Sequence, residues 1–520
     1  MKPSLTCLFA AVAMVCSSLA YGGSVRISAA EFVKDPAKVA ALQKAVAAMK
    51  ANNSADPTST AYRASWQYWA NTHGYLGLGS NSSGVVATYV PTQIANRCGG
   101  NQTCASYYSH LTDTPVPADG FTDAIWGTCQ HGNLSFLPWH RLYLHFYERM
   151  LRKQSGTDDF NLPYWDYYQE TGEHDVGVAL PELVRGKSTG PLYDEFRTPG
   201  LNDYKTAIPA NTASAEQAFD FTDFTSFSNQ LQNQPHGAMH CGTGFGCRAP
   251  DMGLVPLAGL DPVFYMHHAN IDRFWQCWLN RQAGGQTIDL AWAKKNLGMP
   301  DSWYDTKYQF VDENGQPVTV TIADVFTPGK IDTHYSQENN CQTSMPKATP
   351  PLTAAAKSAA SFKLTAPLAS TEATVLTGKV VKRGLKALGN INLLAANAKT
   401  AGVKAGHALL VIENVNAKTL PGVTYEIYLS NKKSPDRKVY IATFNYFGLF
   451  DSAHPHGDAA ANIGTLKYDV QSELEALGLT SAADLEVQFV PSEAATAPEQ
   501  GAAGEVTVGN ILLLNADPAK

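Results

Sequence analysis

Apolar residues recur at helical spacing in three parts of the chain. From Trp139 to Arg152 the positions Leu142, Leu144, Phe146, Met150 and Leu151 predict a mostly buried helix, and HHANIDRFWQCWLNRQ from His267 reads likewise. Residues 31–70 carry the same periodicity in VAALQKAVAAMK and YRASWQYWANTHG, until a Gly/Asn/Ser-rich stretch from Gly77 to Gly84 breaks it. A long loop with two cysteines follows. Beyond Cys341 the helical period is lost in TSMPKATPPLTAAAKSAASFKLTAPLAS, whose Ala, Pro, Ser and Thr mark a linker over 342–370. The remainder holds short β-branched runs, HALLVIENV, VTYEIYLS, KVYIATFNYFG, DLEVQFVP and EVTVGNILLLN, separated by Gly, Pro and Asn. The pattern predicts a mainly α-helical domain over 21–341 and an antiparallel β-sandwich-like domain over 371–520.

Composition narrows this picture. With 520 residues and 44% hydrophobic content, the chain can bury a substantial core. A net charge of −7, with 39 basic residues and no dense Lys/Arg run, leaves no footprint for a nucleic-acid partner. The N-terminus, MKPSLTCLFAAVAMVCSSLAYGG, sets one lysine before an apolar run from Leu5 to Val15 and then offers Ser18-Leu19-Ala20 for cleavage. That is the form of a secretory signal peptide over 1–20, so export is expected, to the periplasm or beyond the cell. The run falls short of the roughly 20 apolar residues a membrane span needs, and no later segment is long enough either.

The chain has nine cysteines, and losing Cys7 and Cys16 with the signal leaves seven. An odd set in an oxidising compartment requires at least one cysteine to be unpaired or specially bonded. Cys98 with Cys104, and Cys241 with Cys247, lie close enough for local disulfides; Cys129 is the remainder of interest.

Cys129 opens the stretch CQHGNLSFLPWHRLYLHFYE, where His131, His140 and His145 stand among aromatic residues. A second cluster holds His236 and His240 four apart, then His267 and His268. Residues four apart share a helix face, so His236 and His240 can address one ion, with His268 completing a three-imidazole site. Two such clusters predict two metals. Imidazole suits zinc, copper, iron and nickel, and the lack of Asp or Glu at ligand spacing disfavours magnesium, calcium and carboxylate di-iron sites. Six neutral imidazoles suit redox-active copper best.

HGNLSFLPWHR followed by Glu148, and DPVFYMHHANID, resemble the two copper signatures of the type 3 copper family: tyrosinases, catechol oxidases and molluscan-type hemocyanins. The resemblance implies four core helices bracketing a copper pair. It implies copper A at three histidines, the second and third nine apart as His131 and His140 are, and copper B at His236, His240 and His268. The first copper A ligand lies upstream of His131, at His73 or His110. His73 is preferred, since it ends an aromatic helix and precedes a glycine as that ligand commonly does. The stretch 74–130 then reads as an inserted loop.

In fungal-type relatives a Cys-x-His pair at this place forms a thioether, and Cys129-Gln130-His131 has that spacing. His145 and His267 are left as core or ring-supporting residues, and Asp272 is expected to support a ligating ring. Many monophenol hydroxylases of the family carry Asn after the first copper B histidine and a Glu nearby that holds a water; here Gly237 and Gln232 stand in those places, with Val255 near the gate. The segment ending in Tyr335, two after Thr333, resembles the close of the catalytic domain in plant polyphenol oxidases. YEIYLS and FNYFGLFDSAHPHG resemble their shielding domain, which would set an apolar side chain near Phe447 or Leu449 over the coppers.

The implied activity is oxidation of o-diphenols to o-quinones by two copper ions and O2, acting on small phenols such as tyrosine and catechols. Monophenol hydroxylation should be the weaker activity, because a glutamine at 232 cannot serve as a base. A pure catechol oxidase and a hemocyanin-like oxygen carrier are the competing readings. A zinc hydrolase lacks a motif for its general base. Whether the chain self-associates is left open.

Overall fold

The computed structural model describes residues 24–75, 116–158, 160–169, 177–186, 188–247, 251–331, 333–339, 341–343, 362–388, 407–417, 423–447, 462–491 and 505–518. The expected signal peptide, His110, Leu449 and the Cys98–Cys104 pair lie outside these residues.

Five helices build the N-terminal part around the histidines: α1 (Pro36–Ala51), α2 (Trp66–His73), α3 (Phe136–Ser155), α4 (Ala238–Thr243) and α5 (Val263–Ala283). Local chemistry sets their ends. Asp35 caps α1, where Pro36 supplies the fixed φ of a first helical residue, and the Ser65 hydroxyl accepts the Tyr68 N–H at the start of α2. Gly156 and Gly284 end α3 and α5 in the left-handed conformation, φ 71° and 55°, which glycine adopts without a Cβ penalty. Helices α3 and α5 are buried on nearly every side. This explains why their apolar residues do not keep to one stripe.

Behind them lies a buried charge network. Arg26 Nε donates to Glu148 at 2.8 Å, Arg141 Nε to Asp272 at 2.7 Å, and the Tyr335 hydroxyl to Asp272 at 2.6 Å. The strand Ser24–Arg26, which brings Arg26 there, pairs in parallel with Thr333–Tyr335. Neighbouring opposite charges hold the Glu148 carboxyl below its usual range despite its burial.

The C-terminal part is antiparallel throughout its two main sheets. One sets Phe362–Thr371, Ile511–Pro518, His407–Ala417, Val506–Val508 and Thr374–Leu376 side by side, with Asn462–Asp469 also paired to His407–Ala417. The other orders Ser434–Phe444, Tyr425–Asn431, Leu485–Pro491 and Val381–Gly384. A separate apolar core that includes Leu410, Ile412, Ile427, Phe444 and Val487 fills this part. The helical N-terminal part and the antiparallel sheets agree with the fold read from the sequence. The first strand, Phe362–Thr371, begins inside the span read as linker, because FKLTAPLAS carries few of the β-branched residues that signal a strand.

Candidate metal centre

The structure draws the histidines into two groups. His73, Cys129, His131 and His140 form one, and His236, His240, His267 and His268 the other; within each, the possible ligand atoms lie inside 4.8 Å of one another. The groups face each other: the His140 and His268 rings are 4.3 Å apart and parallel to 6°, and His131 lies 5.7 Å from His236. His73 comes from the end of α2, His140 from the second turn of α3, and His267 and His268 from the second turn of α5. His236 follows a kink at Gln234, whose backbone is extended (φ −143°, ψ 127°), in the turn Gln232–Gly237 that leads into α4 and His240.

Main-chain carbonyls orient four of these rings. The Nδ1–H of His73 donates to the Val255 carbonyl, that of His140 to Phe136, that of His236 to Gln232 and that of His240 to Met252, at 2.8–2.9 Å. Each bond leaves Nε2 as the lone-pair nitrogen facing the cluster. Burial disfavours the charged form in the second group: His236 is pushed down to about 3, and His240, His267 and His268 well below the ordinary imidazole range. The buried His236 Nε2 has no hydrogen-bond partner among the described residues. Neutral, oriented imidazoles with inward lone pairs are the donor set that divalent or monovalent copper takes.

Cys129 is fully buried, and burial raises its thiol above the ordinary range. Its Sγ lies 3.4 Å from His131 Nδ1 and 3.9 Å from Nε2, in contact with that ring; it is also 3.3 Å from His140 Nε2. His145 belongs to neither group: it packs on Phe146, and its surroundings lower it to about 4.

The residues expected around the metals fall variously. Gln232 Oε1 accepts the Gly132 N–H at 2.7 Å, tying the turn before His236 to the residue after His131. Val255 is fully buried and contributes its carbonyl to His73. Asp272, expected to support a ligating ring, instead serves Arg141, Tyr335 and Arg26, one helical turn beyond His268. Four of the rings are held by main-chain carbonyls instead. His267 Nδ1 lies 2.6 Å from the Tyr167 hydroxyl, a partner no motif announced.

The C-terminal part reaches over this centre. The Phe447 ring lies flat on His240, centroids 3.8 Å apart and 11° from parallel, and edge-on to His236 at 5.5 Å. Asn445 Nδ2 donates to the Asn233 carbonyl at 2.8 Å, and the Thr443 N–H donates to Gln234 Oε1 at 2.8 Å. Gly237 is where these surfaces meet: a Cβ there would come within 2.6 Å of Asn445 Oδ1. Two disulfides occur among the described residues, Cys241–Cys247 as expected and Cys277–Cys341, which spans 64 positions and had no local signal.

Comparison with known proteins agrees with this geometry. Residues 63–190 and 187–281 match the common central domain of tyrosinase. Tyrosinase HcTyr1 of Hahella sp. (strain CCB-MM4) is 26% identical over 90% of this chain and 95% of its own. The latent chloroplastic polyphenol oxidase of Prunus armeniaca is 31% identical over 41% of this chain and 39% of its own. In fold, the chain is similar to a latent aurone synthase (TM-score 0.53, 17% identity, covering 96% of this chain and 90% of that one) and to latent apple tyrosinase (0.52, 19%, 95% and 97%). The helical core, its facing histidine groups and the matched central domain together support a type 3 copper protein of the tyrosinase family, a copper oxidoreductase.

Proposed function

We propose that the protein is an exported tyrosinase-type phenol oxidase, with one copper at His73, His131 and His140 and a second at His236, His240 and His268. The observation that carries this reading is the pair of facing imidazole groups, each with inward Nε2 atoms and Nδ1 atoms held by carbonyls. Copper bound there would supply the redox chemistry by which O2 oxidises an o-diphenol to an o-quinone. The chain's own part is to fix the rings, exclude water and admit a flat aromatic substrate. The face of His240 is the natural place for a phenol ring to lie, and Phe447 occupies it, so the C-terminal domain acts as a lid. Gln232 carries no charge and already accepts the Gly132 N–H, so it offers no base for deprotonating a phenol. Oxidation of o-diphenols should therefore exceed hydroxylation of monophenols. Paired rates on tyrosine and on its ortho-hydroxylated product test this. Absence of turnover on any catechol, with copper bound, would favour an oxygen carrier.

Cys129 is proposed to be joined to an imidazole carbon of His131, the ring its sulfur touches, with the S–H and C–H bonds broken and their two protons and two electrons passed to O2, the oxidant of the proposed reaction. The intact mass of the reduced, copper-exposed protein should be two hydrogens lighter than the thiol form. A Cys129 that still takes up an alkylating agent would disprove the bond.

Gly237→Asn should loosen the lid, since even its Cβ would collide with Asn445. The expected result is a several-fold rise in catechol turnover by the intact chain. Unchanged turnover, with the same resistance to proteases, would mean that the Asn445 contact does not hold the lid.

A further inference from the structure

One short run of main chain anchors an imidazole from each group. The Met252 carbonyl takes the His240 Nδ1–H and the Val255 carbonyl the His73 Nδ1–H, both at 2.9 Å. On one side this run is pressed against α2 with no side chains between: a Cβ on Gly74 would lie 2.2 Å from Pro256 Cα, and one on Gly259 3.0 Å from Ala70 Cα. Trp66 Nε1 adds a bond to the Leu260 carbonyl at 2.9 Å. On the other side Gly253 abuts Gly244, where a Cβ would come 2.2 Å from the Gly253 nitrogen. Gly244 lies in the loop closed by the Cys241–Cys247 disulfide, which begins at the residue after His240. Thr198 fastens that loop as well: its N–H donates to the Thr243 carbonyl at 2.7 Å, its hydroxyl to the Gly242 carbonyl at 2.7 Å, and it accepts the Phe245 N–H at 2.8 Å. Phe245 and Cys247 are held at φ 52° and 64°, a region that side-chain-bearing residues enter only when the surroundings enforce it.

We infer that the Cys241–Cys247 disulfide, Thr198 and the Met252–Val255 run form a positioning strap that sets the His240 ring relative to the His73 ring, and with it the spacing of the two metal positions. The inference rests on the proposed metal reading of the two groups. The disulfide fixes the loop, the loop backs Gly253, and the carbonyls beyond it aim one Nε2 into each group. None of these residues is among the proposed metal ligands. Partners of this kind orient ligands, and losing one typically costs about 10–100-fold in metal affinity.

The test compares two disulfides in the full-length protein. Cys241→Ser with Cys247→Ser opens a link across 6 positions, and Cys277→Ser with Cys341→Ser one across 64. If disulfides served overall stability alone, the longer link would matter more. The strap predicts the reverse. Copper retained after dialysis against graded EDTA should show one of the two ions bound about tenfold or more weakly in the Cys241/Cys247 variant. The Cys277/Cys341 variant should melt earlier yet keep both ions. Thr198→Val should weaken the same ion to a smaller degree, and it decides the matter if the first variant does not fold. His240→Ala is the reference. If it keeps its full copper, the metal reading fails. If it loses copper while the Cys241/Cys247 and Thr198→Val variants hold theirs as tightly as the unmodified protein, or if both disulfide variants lose copper only in step with unfolding, the strap is overturned.

Discussion

His240→Ala should abolish catechol oxidation, with turnover reduced by at least about a hundredfold, since even the partners that merely orient a ligand are worth 10–100-fold. The ring is fully buried, bonded to Met252 through Nδ1, 3.3 Å from His268 Nε2 through its own Nε2, and stacked under Phe447. Its removal takes away a ligand and the surface on which a substrate ring would lie. His73→Ala should be as damaging, although its position is 167 residues away in sequence (240 − 73). His145→Ala, on the same helix as His140 but in neither group, should change turnover little. Elemental analysis alongside rates separates lost metal from lost fold. A His73 variant that kept its copper would move the first ligand to another histidine, His110 being the alternative.

The second large effect lies in the lid. Phe447→Ala should raise catechol turnover by the intact chain about tenfold or more, because the ring that covers His240 contributes an aromatic pair worth about 0.5–1.5 kcal/mol beyond its buried area, and a substrate must displace it. Cleavage within 342–370 should act in the same direction and further, since it frees Asn445 and Thr443 from the turn that carries His236. Equal rates before and after clean cleavage, and in the Phe447 variant, would show that substrate reaches the centre by a path the C-terminal domain does not cover.

Much of this centre was legible in the chain because its signals are local. His131 and His140, His236 and His240, and the paired His267 and His268 keep fixed spacings on or beside buried helices, and the aromatic run ending in His73-Gly74 forms helix α2. What could not be read is what backbone and distance supply. The carbonyls of Phe136, Gln232, Met252 and Val255 orient the rings, yet any residue type can offer a carbonyl. Gly237 shows only a missing side chain in the sequence, and the residue that fills its space, Asn445, lies 208 positions away (445 − 237). Asp272 reads as a ring support because it follows His268 by one turn, but Arg26, brought by a strand at the far end of the chain, draws it into the charge network. The bond from the Gly132 N–H to Gln232 Oε1, between residues 100 positions apart, had no signal in the chain either.

The central claim is that the two histidine groups hold a working copper pair. Copper and zinc per chain in protein purified without added metal, measured on the same samples as catechol turnover, test it most directly. The account predicts two coppers per chain, loss of about one on His73→Ala and one on His240→Ala, and turnover that falls with either. Zinc in place of copper, or full catechol turnover by a chain that holds a single copper, would contradict it.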